Sequence, residues 1–336
     1  MEESLFCGQR VSLTCTMILK NTIRFYSVNR PVIHVLLGAF LISFSAVWVK
    51  LAEVPPATSG LYRVFFGFLI LFPVTFWRRE IHKISEPKLR LIFFCGLVFG
   101  LDLLFWHQSI LYIGPGLATI ISNFQVFLLA IYGIVFLKEK IRLHFLLSIP
   151  TAFLGLFLVV GVNWNQLSAN YKIGIFFGLL TALCYVAFLI SLRKIQQDNN
   201  RTSFFFTLML ISFFSTLCMG LEMNLQGKTF IIPDSRNLFF LLMLALFSQV
   251  IGWILITNAI SLIRASLTGF ILLLQPTLSF LWDVIFFSRP TDFLNWLGII
   301  ITLSAIYMGV HRPEETAPLQ SSRKSLLLPD RENPER

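Results

Sequence analysis

Three carboxylates, Asp102, Glu139 and Asp283, and one histidine, His107, stand in or beside long apolar runs, together with the amides Asn123, Gln125 and Gln275. Carboxylates in such surroundings can carry a proton or hold a cation, and amides can hydrogen-bond a neutral polar solute. A charge in hydrocarbon costs about 2.5–3.5 kcal/mol on insertion scales, so each one needs a partner or a cavity. Their spacing fits no catalytic pattern. The chain has no HExxH, GxSxG or GxxxxGK[ST], and no cysteine–histidine set at metal-ligand spacing. Cys7, Cys15, Cys95, Cys184 and Cys218 show neither CxxC nor paired spacing, so neither a disulfide framework nor a zinc site is indicated. The expectation is no enzyme, no cofactor and no metal.

Helical phase, at about 100° per residue, sorts these residues onto faces. Over 265–287, Thr268, Gln275, Ser279, Trp282 and Asp283 fall within an arc of about 100° on a segment otherwise mostly Leu, Phe and Ile. Such a stripe lines a cavity or hydrogen-bonds a neighbouring helix. Asp102, Trp106 and Ser109 share an arc of about 60°, whereas His107 and Gln108 point elsewhere. Asp102 could carry a proton, stay ionised against a cationic substrate or, protonated, bond a neighbouring helix. His107 reads first as a packing residue. Asn123, Ser122 and Gln125 spread over about 160°, so one amide is expected at a site and the other on a neighbouring helix. Gln249 and Trp253 share a face and are weaker candidates. Tyr112 could close an outer entrance. Arg63 is either a snorkelling cation or a functional one. Glu139, among Lys138, Lys140 and Arg142, suits a local salt bridge or a gate better than substrate contact.

The elements that must hold these side chains are transmembrane helices. Of 336 residues, 56% are hydrophobic and only 13% charged, too few charges to cover a soluble protein of this size; mean hydropathy is +0.77. The apolar residues form ten blocks of roughly 18–23, the length that crosses a core of about 30 Å. Expected spans are 33–50, 58–77, 91–110, 115–137, 143–163, 172–192, 204–222, 237–259, 265–287 and 292–310. Residues 1–30 form a basic arm without a cleavable signal peptide, and 312–336 a disordered polar tail. Alternate loops carry about 21 of the 27 Lys and Arg, the remaining loops about four, which predicts both termini in the cytoplasm. That bias accounts for the net charge of +10 without nucleic acid. Asn200-Arg201-Thr202 is a glycosylation sequon placed inside, where it goes unused.

The chain also repeats itself. A shift of 150 aligns Gln125 with Gln275, Leu117 with Leu267, Phe136 with Phe286 and Ile110 with Ile260; a shift of 136 brings Gly38, Ser45 and Ala46 onto Gly174, Thr181 and Ala182. Five helices is an odd number, so a second copy sits upside down, as in secondary transporters whose site lies between two inverted repeats. The passages Leu36 to Leu51, Tyr62-Arg63, Gly116 to Glu139 and Ser266 to Gly298 resemble the EamA-type carriers of the drug/metabolite transporter superfamily. Leu137-Lys138-Glu139-Lys140-Ile141 matches that family's closing pattern except at its glycine, and Arg289 stands where the second copy usually has Glu.

The resemblance implies an all-α membrane protein of two inverted five-helix repeats, 31–163 and 171–311, acting by alternating access. The expected function is secondary active transport of small metabolites such as amino acids, amines or nucleoside-like solutes, in a bacterial inner membrane. Substrate contacts are expected from Asp102, Trp106, Asn123, Gln125, Gln275, Ser279, Trp282 and Asp283, and gating or coupling from Arg63, Tyr112 and Glu139. Partners are the small-molecule substrate and membrane lipids, and a homodimer is compatible with the pattern. A membrane-embedded enzyme or lipid-handling protein using Asp102 and Asp283 is the alternative; the missing motifs argue against it.

Overall fold

Lipid leaves a helix to satisfy its own amides, and each apolar block folds accordingly. The computed structural model describes residues 30–81, 84–160, 170–198 and 203–311. The arm expected at 1–30, the sequon at Asn200 and the tail at 312–336 lie wholly or almost wholly outside them. Among the described residues nine helices are long and apolar enough to cross a membrane: α1 (Arg30–Leu51), α2 (Pro56–Trp77), α3 (Glu86–Val135), α4 (Leu143–Val160), α5 (Tyr171–Gln197), α6 (Phe204–Leu225), α7 (Ser235–Ile260), α8 (Ala265–Phe287) and α9 (Phe293–Val310).

The sequence leads one to expect ten, and the difference lies in α3. At 50 residues it is more than twice the usual crossing length. Gly114, before Pro115, has φ 76° and ψ 162°, a conformation only glycine adopts readily. A β-carbon on Gly178 of α5 would lie 3.1 Å from Ser109 Oγ and 2.8 Å from Ile121. A continuous helix would hold those two residues about 18 Å apart along its axis. The chain therefore doubles back at Gly114, and α3 has two arms, 86–113 and 115–135.

Packing follows a simple scheme. The first arm of α3 lies on α5 and α6, and α7 lies on α1 and α2; α2 meets α6, the second arm meets α8, and α4 meets α9. Exchanging α1, α2, the two arms and α4 for α5 to α9, in order, returns the same set of packed pairs. Two interruptions fall in matching places. Helical bonding lapses at Asn123–Phe124, just before Gln125, and at Leu272–Leu273, just before Gln275. In α8 the cause is Pro276, which has no N–H for the Leu272 carbonyl. In α3 the Asn123 side chain donates 2.8 Å to Thr119 O, four residues back, and competes with the backbone there. A third irregularity is a π-helical stretch, Ala245–Gly252, inside α7.

Candidate functional site

Gly60, Arg63 and Gly67 share one face of α2 at spacings of three and seven. A β-carbon on Gly60 would lie 2.9 Å from His107 Cε1, and one on Gly67 2.5 Å from Gln249 Cγ. The two glycines thus let α3 and α7 close in on either side of Arg63, two turns into the helix. Arg63 Nε is buried with no hydrogen-bond partner among the described residues. Opposite stands Asp102, 7% exposed. Arg63 and Asp102 attract each other, and both act on the Tyr185 phenol of α5, which also reaches the Gln275 side chain. Gln275 Nε2 makes no well-formed hydrogen bond. Four elements of the bundle, α2, α3, α5 and α8, therefore converge near mid-helix on one polar group, with Asp102 buried and Arg63, Tyr185 and Gln275 half-buried.

On one side of this group lies a layer of rings. Trp253 meets Phe188 edge-on at 4.8 Å and Phe99 at 5.8 Å, and Phe99 stacks on Phe188 at 4.6 Å. Tyr185 borders the same layer, 6.3 Å from Trp253. The layer can carry an apolar part of a solute or block its path. Beyond it a small cleft is lined by Leu129, Leu189, Ile190, Arg193, Ile260, Ala265 and Thr268.

A clasp closes that end of the bundle. The Glu139 carboxylate accepts hydrogen bonds from Ala265 N at 2.7 Å, Ser266 N at 3.3 Å and Ser266 Oγ at 2.5 Å. Anions are favoured at a helix N-terminus, where amides have no intrahelical partner. Arg264 Nη1 donates to Lys140 O at 3.1 Å, and Arg193 donates to Ile260 O at 2.6 Å and to Ile263 O. At the opposite end Thr58 Oγ1 donates to Thr229 O at 3.0 Å and Tyr62 OH to Phe230 O at 2.6 Å. Just beneath them Lys228 pairs with Glu222 at 2.7 Å.

The residues singled out in the sequence divide between this centre and other places. Asp102, Arg63 and Gln275 meet at the centre, and the half-buried Trp106 borders it, its ring 5.4 Å from that of His107. Gln125 is buried, its Oε1 without a partner among the described residues, whereas Asn123 is spent on Thr119. The stripe on α8 splits. Ser279 Oγ donates to Ser43 O and Trp282 Nε1 to Ser43 Oγ, both at 2.8 Å, and Trp282 stacks on Phe44 at 4.3 Å, so these two bind α1. Asp283 sits near the helix end, bridging Lys50 at 2.9 Å and Arg289 at 3.3 Å. Tyr112 packs beside Phe177 of α5, away from the centre. Glu139 is the acceptor of the clasp.

Tyr185 went unnoticed in the sequence, and Gln249 and Trp253 were ranked low. One signal for Tyr185 was available: it is the only polar-tipped ring in the apolar run 173–192. Gln249 donates to Ser212 Oγ at 3.1 Å and lies in the π-helical stretch, a device frequent at functional sites.

The sequence pattern of the EamA-like transporter family matches residues 29–161 and 172–310. The crystal structure of another protein superposes with a TM-score of 0.70, covering 83% of this chain and 96% of its own at 14% identity, a likeness of fold. No curated protein matches the chain.

Proposed function

The chain belongs to the EamA-like transporter family, within the drug/metabolite transporter superfamily, and from that premise we propose a secondary carrier of small organic metabolites working by alternating access. The observation that carries this reading is the polar group of Arg63, Asp102, Tyr185 and Gln275 inside the bundle, with contacts between the chain's two halves closing the bundle on either side. Ionisable groups inside a membrane bundle are costly and mark substrate or ion paths. Asp102, Trp106, Gln125 and Gln275 bind the solute; Asn123, Ser279, Trp282 and Asp283 support them, the last through its pairs with Lys50 and Arg289.

In this reading the two arms of α3 each cross the membrane, giving ten passes as two inverted repeats, 31–163 and 171–311. The self-mapping set of packed pairs and the matched interruptions before Gln125 and Gln275 support it. Both termini lie in the cytoplasm of a bacterial inner membrane, and the Glu139 clasp closes the cytoplasmic end. Thr58 and Tyr62 answer it at the outer end through Thr229 and Phe230, with Tyr112 beside the Gly114 turn.

The test is counterflow in proteoliposomes across a broad metabolite panel. Saturable exchange of at least one solute class is the expected result. Purified, monodisperse protein that gives neither exchange nor any solute-dependent thermal shift would overturn the carrier reading.

A further inference from the structure

The second arm of α3 and α8 end in the same local structure. Lys138 and Ser288 leave their helices in the left-handed region, at φ 53° and 49°. The next amide then bonds the carbonyl six residues back, Glu139 N to Gly133 O at 2.8 Å and Arg289 N to Asp283 O at 3.4 Å. The shift of 150 that pairs Gln125 with Gln275 therefore holds at these ends too, and it pairs Glu139 with Arg289. Because the end of the arm at Glu139 meets the start of α8 at Ala265, the two helices run antiparallel. Arg289 accordingly lies at the opposite end of the bundle, the end of the Gly114 turn.

At that end the same shift replaces each part of the clasp by a residue that cannot act as it does. Glu139 accepts three hydrogen bonds, whereas Arg289 is a cation and accepts none. Ala265 donates its N–H; its equivalent, Pro115, has no N–H to give. Ser266 donates a hydroxyl and Arg264 a guanidinium, and their equivalents are Gly116 and Gly114. Arg289 instead turns back on its own helix, to Asp283 at 3.3 Å and over the Phe280 ring at 4.7 Å. Asp283 stands where the first copy has Gly133, and with Ser279 and Trp282 it fastens this end of α8 to α1. The Gly114 end is closed by α2, through the neutral hydroxyls of Thr58 and Tyr62. Hydrogen bonds to an ionised group are roughly twice as strong as neutral ones.

Resting on the ten-pass carrier reading above, we propose that the clasp is a one-sided lock: it holds the Glu139 end shut, and the bundle opens first at the Gly114 end, whose equivalent residues cannot form one. Two inverted copies with equal gates would make the two open forms equally stable. Here the form closed at Glu139 keeps a carboxylate with three donors, and the form closed at Gly114 keeps only neutral bonds. With Glu139 at the cytoplasmic end, the unoccupied carrier faces outward, and the clasp sets how often it turns inward. Losing the acceptor raises the inward-facing share at least roughly tenfold.

The experiment reads access to the centre from each membrane face. Gln275→Cys is made in the full chain with its five native cysteines changed to alanine, and labelled in sealed vesicles of both orientations with a membrane-impermeant methanethiosulfonate. Lys138→Cys, at an exposed position, marks the face that holds the Glu139 end. With the clasp intact, the centre labels at least roughly tenfold faster from the Gly114 face than from the Glu139 face. Glu139→Ala raises the rate from the Glu139 face by a similar factor and leaves the other rate unchanged or lower. Ser266→Ala removes one donor only and, where Glu139→Ala does not fold, should raise the same rate by roughly threefold. Equal rates from the two faces with the clasp intact would overturn the lock. So would a Glu139→Ala protein whose centre stays closed to its own face, which would show a clasp that merely trims the loop, or one that labels faster from both faces alike, which would show general loosening. Counterflow of solutes separates the two ideas. Exchange with equal labelling removes the lock and keeps the carrier; sided labelling without any exchange keeps the lock and removes the carrier.

Discussion

The crossing of α4 and α9 rests on two glycines that face each other through backbone. A β-carbon on Gly298 would lie 2.6 Å from Gly155 O and 2.6 Å from Val159 N, and one on Gly155 would lie 2.7 Å from Thr302 N and 2.8 Å from Gly298 O. Ordinary carbon–oxygen approach is about 3.3–3.6 Å, so Gly298→Ala is short by about 0.7–1 Å. Backbone atoms cannot rotate aside. The helices must part by about that distance, and a gap of this size forfeits a quarter to a half of the dispersion energy across it. It also pulls Asn295 Nδ2 from Leu158 O and Val159 O, each now at 3.2 Å. Overpacking of this kind costs about 1–3 kcal/mol, with about 1 kcal/mol more for the loosened bonds. Alanine's better helix propensity returns about 0.8–1 kcal/mol. The net loss is about 1–3 kcal/mol, or roughly 3–10 °C in melting temperature. Gly220→Ala is the matched control, since its β-carbon meets only Leu61 Cδ1 at 3.9 Å. It should melt at or slightly above the wild-type temperature. Thermal unfolding of the three proteins in one detergent, followed by size-exclusion chromatography, reads the difference. A Gly298→Ala protein as stable as Gly220→Ala would refute the reasoning.

Three further outcomes are expected. Glu139→Ala removes the acceptor of three hydrogen bonds and should lower stability by about 2–4 kcal/mol, with Glu139→Gln losing clearly less; equal melting of Ala and wild type would show that the clasp carries no energy. Asp283→Asn weakens bridges to the half-exposed Lys50 and Arg289, so the change should stay under about 1 kcal/mol and shrink further in high salt; a drop several times larger would mean the carboxylate is tied into the fold more deeply than its contacts indicate. Gly114→Ala forces a β-carbon into a conformation at φ 76°, at a cost of about 1–3 kcal/mol. Unchanged melting of that variant would argue against the turn geometry.

Span lengths were legible because lipid thickness sets them, and the turn at Gly114 because Gly-Pro-Gly has few other uses inside an apolar run. A shift of 150 pairs Gln125 with Gln275 in the sequence, and in the structure each lies just past an interruption of its helix. Arg63 was legible as a candidate for gating or coupling, but not as a member of the central group. A lone cation two turns from a helix end snorkels in most settings, and the packing admitted by Gly60 and Gly67, with His107 and Gln249 against them, is what encloses its Nε. The α8 stripe shows the same limit from the other side. Helical phase puts Gln275, Ser279, Trp282 and Asp283 on one face, yet does not say which neighbour each meets: Tyr185 for the first, Ser43 for the next two, Lys50 for the last. Periodicity gives direction around one axis, whereas a site depends on how several axes cross.

Both ends of the bundle are closed largely by side chains gripping main chain. Glu139 holds the amides of Ala265 and Ser266, Arg264 holds the Lys140 carbonyl, and Thr58 and Tyr62 hold the carbonyls of Thr229 and Phe230. A carbonyl or amide is present whatever residue occupies the position. The information in each closure is therefore one-sided: in a saturation mutagenesis scan the gripping positions should tolerate few substitutions, while the gripped loop at 229–230 drifts freely. Two such loops could diverge in sequence and still close the same door.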